Sequence, residues 1–167
     1  GDRGSDSVFG QEDNDTIFGG RDNDFVDGGF GNDSLSGDLG SDTLIGGQGI
    51  DTISGGGDID VFELAIGEGL DIITDFVPEQ DIILLDKSTF TAISSDSGTG
   101  FSVDAEFAIV TSDASAETSE AVIVYNSNNG KLFYNANGTA AEFGSAGEFA
   151  NLTNTASISE DDFLLRG

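Results

Sequence analysis

The sequence predicts an all-β protein: a solenoid of stacked nine-residue units over residues 1–63, then a β-rich C-terminal region over 64–167 that caps it. Three observations carry this expectation. A period of nine begins at Gly1 and runs without a slip through Glu63, with Gly opening every unit and Asp at every sixth position. The eighth position is always apolar: Val8, Ile17, Val26, Leu35, Leu44, Ile53 and Phe62. From Leu64 onward Gly thins out and apolar runs lengthen, as in Asp71-Ile72-Ile73-Thr74-Asp75-Phe76 and Asp81-Ile82-Ile83-Leu84-Leu85, which is strand composition.

Within the repeat each position has a physical reason. The opening residues Gly1, Gly10, Gly19, Gly28, Gly37, Gly46 and Gly55 start a six-residue turn that needs positive φ and close backbone approach. The three residues after the sixth-position Asp read as a short strand, in which the eighth position points inward and the seventh and ninth point out. One repeat cannot close a core. Two repeats make one coil of two turns and two strands, so each strand stacks on the strand two repeats away and the Asp residues line up in columns.

Composition narrows the chemistry. The chain has 32 acidic and 5 basic residues, a net charge of -27, and repels itself in any compact state unless cations neutralise it. Nucleic acid and anionic membrane surfaces are therefore not expected partners, and no apolar run approaches the roughly 18 residues of a membrane span. Cysteine and histidine are both absent, which removes disulfides, thiolate or imidazole metal sites, and serine-histidine-acid catalysis. Hard carboxylate and carbonyl oxygens remain, and these suit calcium or magnesium. A flexible site with many ligands favours calcium, whereas magnesium demands near-ideal octahedral geometry. With no initiating Met and no signal peptide, the chain reads as the excised end of something longer.

The pattern Gly-Gly-x-Gly-x-Asp-x-apolar-x resembles the RTX (repeats-in-toxin, hemolysin-type calcium-binding) family. The resemblance implies a right-handed parallel β-roll with calcium held between turns two repeats apart. Each ion takes the sixth-position Asp of both turns and backbone carbonyls from their first four positions. On that rule the ligand pairs are Asp6 with Asp24, Asp15 with Asp33, Asp24 with Asp42, Asp33 with Asp51, and Asp42 with Asp60, giving five interior sites. The carbonyls implied are those of Gly19, Gly20, Arg21 and Asp22, of Gly28, Gly29, Phe30 and Gly31, of Gly37, Asp38, Leu39 and Gly40, and of Gly46, Gly47, Gln48 and Gly49. Asp13, Asp22 and Asp58 replace Gly at the fourth position, and Asp2, Gln11 and Asp38 replace it at the second. Carbonyl ligands survive such changes, and Asp tolerates left-handed backbone better than most residues. After Glu63 the register breaks, but Gly67-Glu68-Gly69-Leu70-Asp71-Ile72-Ile73 is a shifted copy of the core motif. It suggests a sixth site between Asp51 and Asp71; the alternative is that Asp71 merely opens a strand.

In the second region, the runs 71–76 and 81–85 read as paired strands separated by a turn at Pro78-Glu79, and they resemble the segment that closes the open end of such rolls. Residues 121–125 and 131–134 flank Asn126-Ser127-Asn128-Asn129-Gly130 as a hairpin, 94–100 reads as a mobile loop, and 114–119 as one helical turn. The acidic-then-apolar end, residues 159–167, resembles the uncleaved signal of type I secretion substrates; the alternative is a last edge strand. Asn-x-Ser/Thr triplets at Asn14, Asn32, Asn137 and Asn151 carry no glycosylation meaning, the first two being products of the repeat.

The functional expectation is a calcium-binding module of a secreted bacterial protein, extracellular or at the cell surface, which folds on calcium outside the cell and serves as the C-terminal export and folding module. Its partners are calcium ions, the type I secretion machinery and an upstream domain. Intrinsic catalysis is not expected, since paired carboxylates are the only catalytic chemistry available and every prominent Asp already has a metal-site role; a catalytic domain belongs upstream. The alternative is a binding or adhesion module for a glycan, a cell surface or a second copy, motivated by outward apolar residues Phe9, Phe18, Phe25 and Ile45.

Overall fold

The computed structural model describes residues 1–102, 105–136 and 147–167. The repeats build β1 (Ser7–Gln11), β2 (Thr16–Arg21), β3 (Phe25–Phe30), β4 (Ser34–Leu39), β5 (Thr43–Gln48), β6 (Thr52–Gly57) and β7 (Val61–Leu64). The rest builds β8 (Asp71–Ile73), β9 (Ile82–Asp86), β10 (Phe107–Val110), a single helical turn α1 (Asp113–Ala116), β11 (Ile123–Asn126), β12 (Lys131–Tyr134), β13 (Glu148–Leu152) and β14 (Phe163–Arg166). Asn137 lies outside the described residues.

Successive repeat strands alternate between two sheets, with the order β1-β3-β5-β7-β9-β14 in one and β2-β4-β6-β8-β13-β12-β11-β10 in the other. Every repeat pair is parallel, and each residue faces the one two repeats on: Val8 with Val26, Ile17 with Leu35, Val26 with Leu44, Leu35 with Ile53. This is a parallel β-solenoid. The strands β2–β6 are six residues long, not three, because the first- and second-position glycines continue the ladder beyond the apolar residue. Gly29 pairs with Gly47, and Asp38 with Gly56.

The eighth-position side chains form the interior: Val26, Leu44, Ile53 and Phe62 are fully buried, and Val8, at the free end, is only partly so. The column continues without a break through Ile73, Ile83 and Leu85 to Phe163 and Leu165. Repeat and cap thus share one core across Glu63.

The runs 71–76 and 81–85 are not paired with each other. β8 joins β6 in one sheet and β9 joins β7 in the other. Each run meets a ready parallel edge on its own wall, and the intervening turn, with Gln80 and Asp81 N–H on the Val77 carbonyl and Glu79 at φ 64°, carries the chain across. Two later strands return to extend the same sheets in parallel, β13 on β8 and β14 on β9, so the C-terminal strand is an added strand of the six-stranded sheet. The hairpin forms as β11 and β12, with Ile123 opposite Tyr134 and Asn126 opposite Lys131. Residues 94–100 lie along β14, where Gly98 N–H donates to the Leu165 carbonyl at 2.7 Å and Leu165 N–H to the Thr99 carbonyl at 3.0 Å. Buried Glu106 anchors this segment by accepting N–H and O–H bonds from Ser94 and Ser95.

Candidate metal centre

In every turn the second and fourth positions adopt left-handed backbone or its neighbourhood wherever the ladder is regular. Gly20, Gly29, Gly47 and Gly56 do so at the second position, Gly31, Gly40 and Gly49 at the fourth. Gln11, Asp13, Asp22, Asp38 and Asp58 take the same conformation at φ 71–80° without glycine's freedom. The first position is Gly for a different reason, which is space. A Cβ on Gly19 would lie 2.7 Å from the Gly37 carbonyl oxygen and 2.8 Å from Asp24 Oδ2.

That crowding outlines the site. From Asp24 onward, each sixth-position Asp uses Oδ1 to accept the backbone N–H of the Asp two repeats earlier: Asp24 from Asp6 (2.8 Å), Asp33 from Asp15 (2.8 Å), Asp42 from Asp24 (2.7 Å), Asp51 from Asp33 (2.7 Å) and Asp60 from Asp42 (2.9 Å). These are the five pairs the repeat spacing implies. Oδ2 is left open in this column: on Asp15, Asp24, Asp33, Asp42 and Asp51 it is buried and meets no hydrogen-bond donor among the described residues. Across each gap lies the carbonyl of a first-position Gly two repeats on, those of Gly19, Gly28, Gly37, Gly46 and Gly55 facing the turns that begin at Gly1, Gly10, Gly19, Gly28 and Gly37. An unpaired buried carboxylate oxygen costs several kcal/mol. A carboxylate oxygen converging on a carbonyl oxygen, neither carrying a proton, forms a hard, anionic cradle that a divalent cation satisfies and a hydrogen bond between the two cannot.

Among the other implied carbonyls, those of Gln48 and Gly49 accept backbone bonds outside the strand ladders, from Gly31 N–H at 2.8 Å and from Leu70 N–H at 3.2 Å. Among the described residues no three carboxylates lie close enough to hold a metal by side chains alone. What each regular gap presents is one Asp Oδ2 and the carbonyl oxygen of a first-position Gly. Burial raises the carboxyls of Asp42 and Asp51, and pushes Asp60 up to about 7, with Asp81, Asp42 and Asp75 adding repulsion.

Asp71 both opens β8 and faces Asp51. Its Oδ1 takes the place beside Gly46 that a first-position carbonyl fills in the regular turns, 2.7 Å from where a Cβ would sit, with Asp51 Oδ2 at 2.6 Å. Burial, then Asp51 and Glu68, push the Asp71 carboxyl up to about 8.

Three features escaped the repeat rule. Asp81 continues the odd column, taking Asp60 N–H at 3.1 Å, but its Oδ2 accepts Val77 N–H at 2.8 Å, so it closes the column and leaves no open oxygen. Asp75 caps the last repeat by accepting from Ser54 Oγ (2.6 Å), Gly55 N–H (2.9 Å) and Gly56 N–H (3.0 Å). A second ladder runs at the fifth position, where Asn14 accepts Asn32 N–H at 2.8 Å, Asn32 accepts Ile50 N–H at 2.8 Å and Asn23 accepts Ser41 N–H at 3.1 Å. Its signal was present as the Asn residues before three of the sixth-position Asp residues.

The RTX calcium-binding nonapeptide repeat model matches residues 1–35 and 36–73 with four copies. The chain is also similar to the solution structure of the AlgE6R3 subunit from the Azotobacter vinelandii mannuronan C5-epimerase, with a TM-score of 0.54 and 24% identity over 92% of this chain and 79% of that one. At that identity the likeness speaks for the fold. No curated protein matches the sequence.

Proposed function

Because residues 1–73 belong to the RTX calcium-binding nonapeptide repeat family, we propose that the chain is a module whose folded state is made by calcium. The observation that carries this reading is the row of buried Oδ2 atoms on Asp15, Asp24, Asp33, Asp42 and Asp51 that meet no donor among the described residues, the first four with a carbonyl oxygen opposite and Asp51 with Asp71 Oδ1. Asp6 through Asp60 hold five ions in the pairs given above, and Asp71 with Asp51 holds a sixth. The cation, when bound, supplies the positive charge that stacked carboxylates lack. The chain's own residues do the rest: Oδ1 atoms fix the spacing of the turns, first-position glycines keep the gaps open, and eighth-position side chains close the core beneath.

A site with a dissociation constant near 0.1 mM contributes roughly 1.4 kcal/mol at about 1 mM free calcium. Five such sites supply roughly 7 kcal/mol, comparable with the whole stability of a small domain. At submicromolar cytosolic calcium the repeats are then unfolded and fit a narrow channel, and they fold outside. This supports a C-terminal export and folding module of a secreted protein, with residues 1–63 as the calcium roll, 64–167 as its cap, type I secretion machinery reading 159–167, and any catalytic domain upstream. Far-UV circular dichroism in calcium and in excess chelator tests the folding claim, which fails if the strand signal persists in chelator. Export of a passenger fused ahead of Gly1, with and without residues 159–167, tests the secretion claim separately.

A second reading, a binding or adhesion module, is favoured by the rings of Phe9 and Phe18, which stand more than half exposed on opposite sheets.

A further inference from the structure

At the β1 end of the six-stranded sheet, four side chains from two adjacent rungs border a shallow groove: Phe9 and Glu12 from one, Asp27 and Phe30 from the next. Phe9 lies opposite Asp27 and Gln11 opposite Gly29 in the β1–β3 register, with Glu12 and Phe30 one residue further along. Phe9 therefore has a carboxylate as its cross-strand neighbour, and Phe30 borders the same groove as the carboxylate of Glu12. The two rings and the two carboxylates alternate around this groove, which Gly10, Gln11 and Gly29 also line. Phe9 and Phe30 are 55% and 57% exposed, and Phe9 is braced by Phe25 with ring centroids 5.7 Å apart. The calcium columns use none of these four: ninth- and third-position side chains point away from the Asp ladder.

The geometry points to a binding subsite for an arginine side chain of a partner polypeptide, its guanidinium lying between Asp27 and Glu12 and across the faces of Phe9 and Phe30. A planar cation is the group this checkerboard fits. Carboxylates alone would suit a metal ion and rings alone a neutral apolar group, but both together suit a flat organic cation that stacks and donates in its plane. The lining glycines let such a group reach the backbone. The same sheet already receives one guanidinium. Arg166 spans Glu63 and Asp86, with Nη1 2.8 Å from Glu63 Oε2, Nη2 2.7 Å from Asp86 Oδ2, and a further bond from Nη2 to Glu63 Oε1. Glu63 stands in the ninth-position column that holds Phe9 and Asp27. At that end the chain provides its own arginine. At the β1 end, the ion pairs of the described residues reach neither Glu12 nor Asp27.

The groove needs only a folded roll, so the test is run on the full chain in excess calcium, and its failure leaves the calcium reading standing. Amide chemical shifts are followed while blocked Gly-Arg-Gly, Gly-Lys-Gly and Gly-citrulline-Gly peptides are titrated. The arginine peptide is expected to move Gly10, Gln11, Asp27 and Gly29 selectively, the lysine peptide to bind more weakly and the isosteric neutral citrulline peptide not to bind. Phe9→Ser and Phe30→Ser leave the net charge unchanged and touch no core residue, so each isolates the subsite from the general acidity of the molecule. Each is expected to weaken the arginine peptide about twofold to fivefold. Binding by the citrulline peptide, shifts spread along the Asp columns, or Ser variants that bind like the parent would each overturn the assignment.

Discussion

Asp33→Asn separates the two jobs of a sixth-position carboxylate. Oδ1 of Asp33 accepts the Asp15 N–H at 2.8 Å, whereas its buried Oδ2 meets no donor and shares the space beside Gly28 with the Gly46 carbonyl. Asparagine keeps the first oxygen and places an NH₂ where the second was, aimed at that carbonyl. Without calcium the substitution turns two facing oxygens into a donor and an acceptor and removes a buried charge, so the folded state gains. With calcium it removes a charged ligand from the pair with Asp51 and from the pair with Asp15. At about 1.4 kcal/mol per site near 1 mM calcium, the loss is about 1.4 kcal/mol for one site and about 2.8 for two. The sign of the effect therefore reverses with calcium. In chelator, the trimethylamine oxide concentration that half-folds the chain, read by far-UV circular dichroism, should fall; in calcium, the concentration of metal needed for half-folding should rise. Asp33→Ala serves as reference, since it strips the Asp15 N–H of its acceptor and costs stability under both conditions. Equal destabilisation by Asp33→Asn in chelator and in calcium would refute the reasoning and leave the carboxylate as a backbone acceptor alone.

The glycines divide by neighbourhood. Gly19→Ala drives a Cβ into the Gly37 carbonyl and Asp24 Oδ2, and should cost about 2–3 kcal/mol with loss of one calcium equivalent by calorimetry. Gly57→Ala meets Leu39 Cδ2 at 3.7 Å and the Asp38 carbonyl oxygen at 3.9 Å, ordinary contacts, with no positive φ, and should leave the thermal midpoint unchanged or raise it. At the C-terminus, the hydrogen bond from Arg166, then those from Ser88, hold the Asp86 carboxyl down to about 2. A carboxyl depressed below its unfolded value near 3.9 contributes stability above that pH and loses it as pH falls toward 2. Arg166→Gln should raise the Asp86 titration measured by NMR toward the ordinary range and flatten the stability profile between about pH 4 and 2. The parent's advantage at neutral pH should shrink in high salt, because the tie is half-exposed.

The roll was legible because one residue type answers one physical demand at a fixed interval: space at Gly19, a bridging carboxylate at Asp24, an inward apolar group at Val26. Reading the glycines only as turn formers hid the strand that runs through them, since Gly28 and Gly29 extend β3 where propensity argues for a break. The cap was less legible because its partners are far apart in sequence. Nothing local in Asn151 or Leu164 says that each will lie parallel to a strand some eighty residues earlier, Ile72 and Leu84 respectively. Period-two patterning finds strands but not neighbours, which is why 71–76 and 81–85 looked like partners when each had a better edge elsewhere. Asp75 was visible only as an acid near the end of the run 71–76 and Asp81 only as the acid that opens 81–85, because their role as end caps depends on which turn the chain has left unpaired.

A roll and cap that share one apolar column cannot respond to metal separately. The chain has two Tyr residues and no Trp, and both tyrosines, Tyr125 and Tyr134, are buried in the cap. Tyr125 O–H donates to the Ala156 carbonyl at 2.5 Å, and Tyr134 accepts Ala92 N–H at 2.9 Å. Their near-ultraviolet dichroism therefore reports on the cap, while the far-ultraviolet signal is dominated by the repeats. The physical link between them runs through β8: Asp71, facing Asp51, pairs with Ala150, and Thr153 N–H donates to the Ile73 carbonyl at 2.9 Å. Emptying the gap between Asp51 and Asp71 removes the cation that ties these two buried carboxyl groups together at the strand that β13 leans on, so the tyrosine signal should collapse at the same calcium concentration as the far-ultraviolet one. Against this stands the small separate cluster of Ala116, Ala121, Val124 and Phe133, which gives β11 and β12 some packing of their own. Four side chains of that size hold little against the entropy of ordering the hairpin. A tyrosine signal that survives chelation intact would mean that they hold enough, and that the shared column does not couple the two ends.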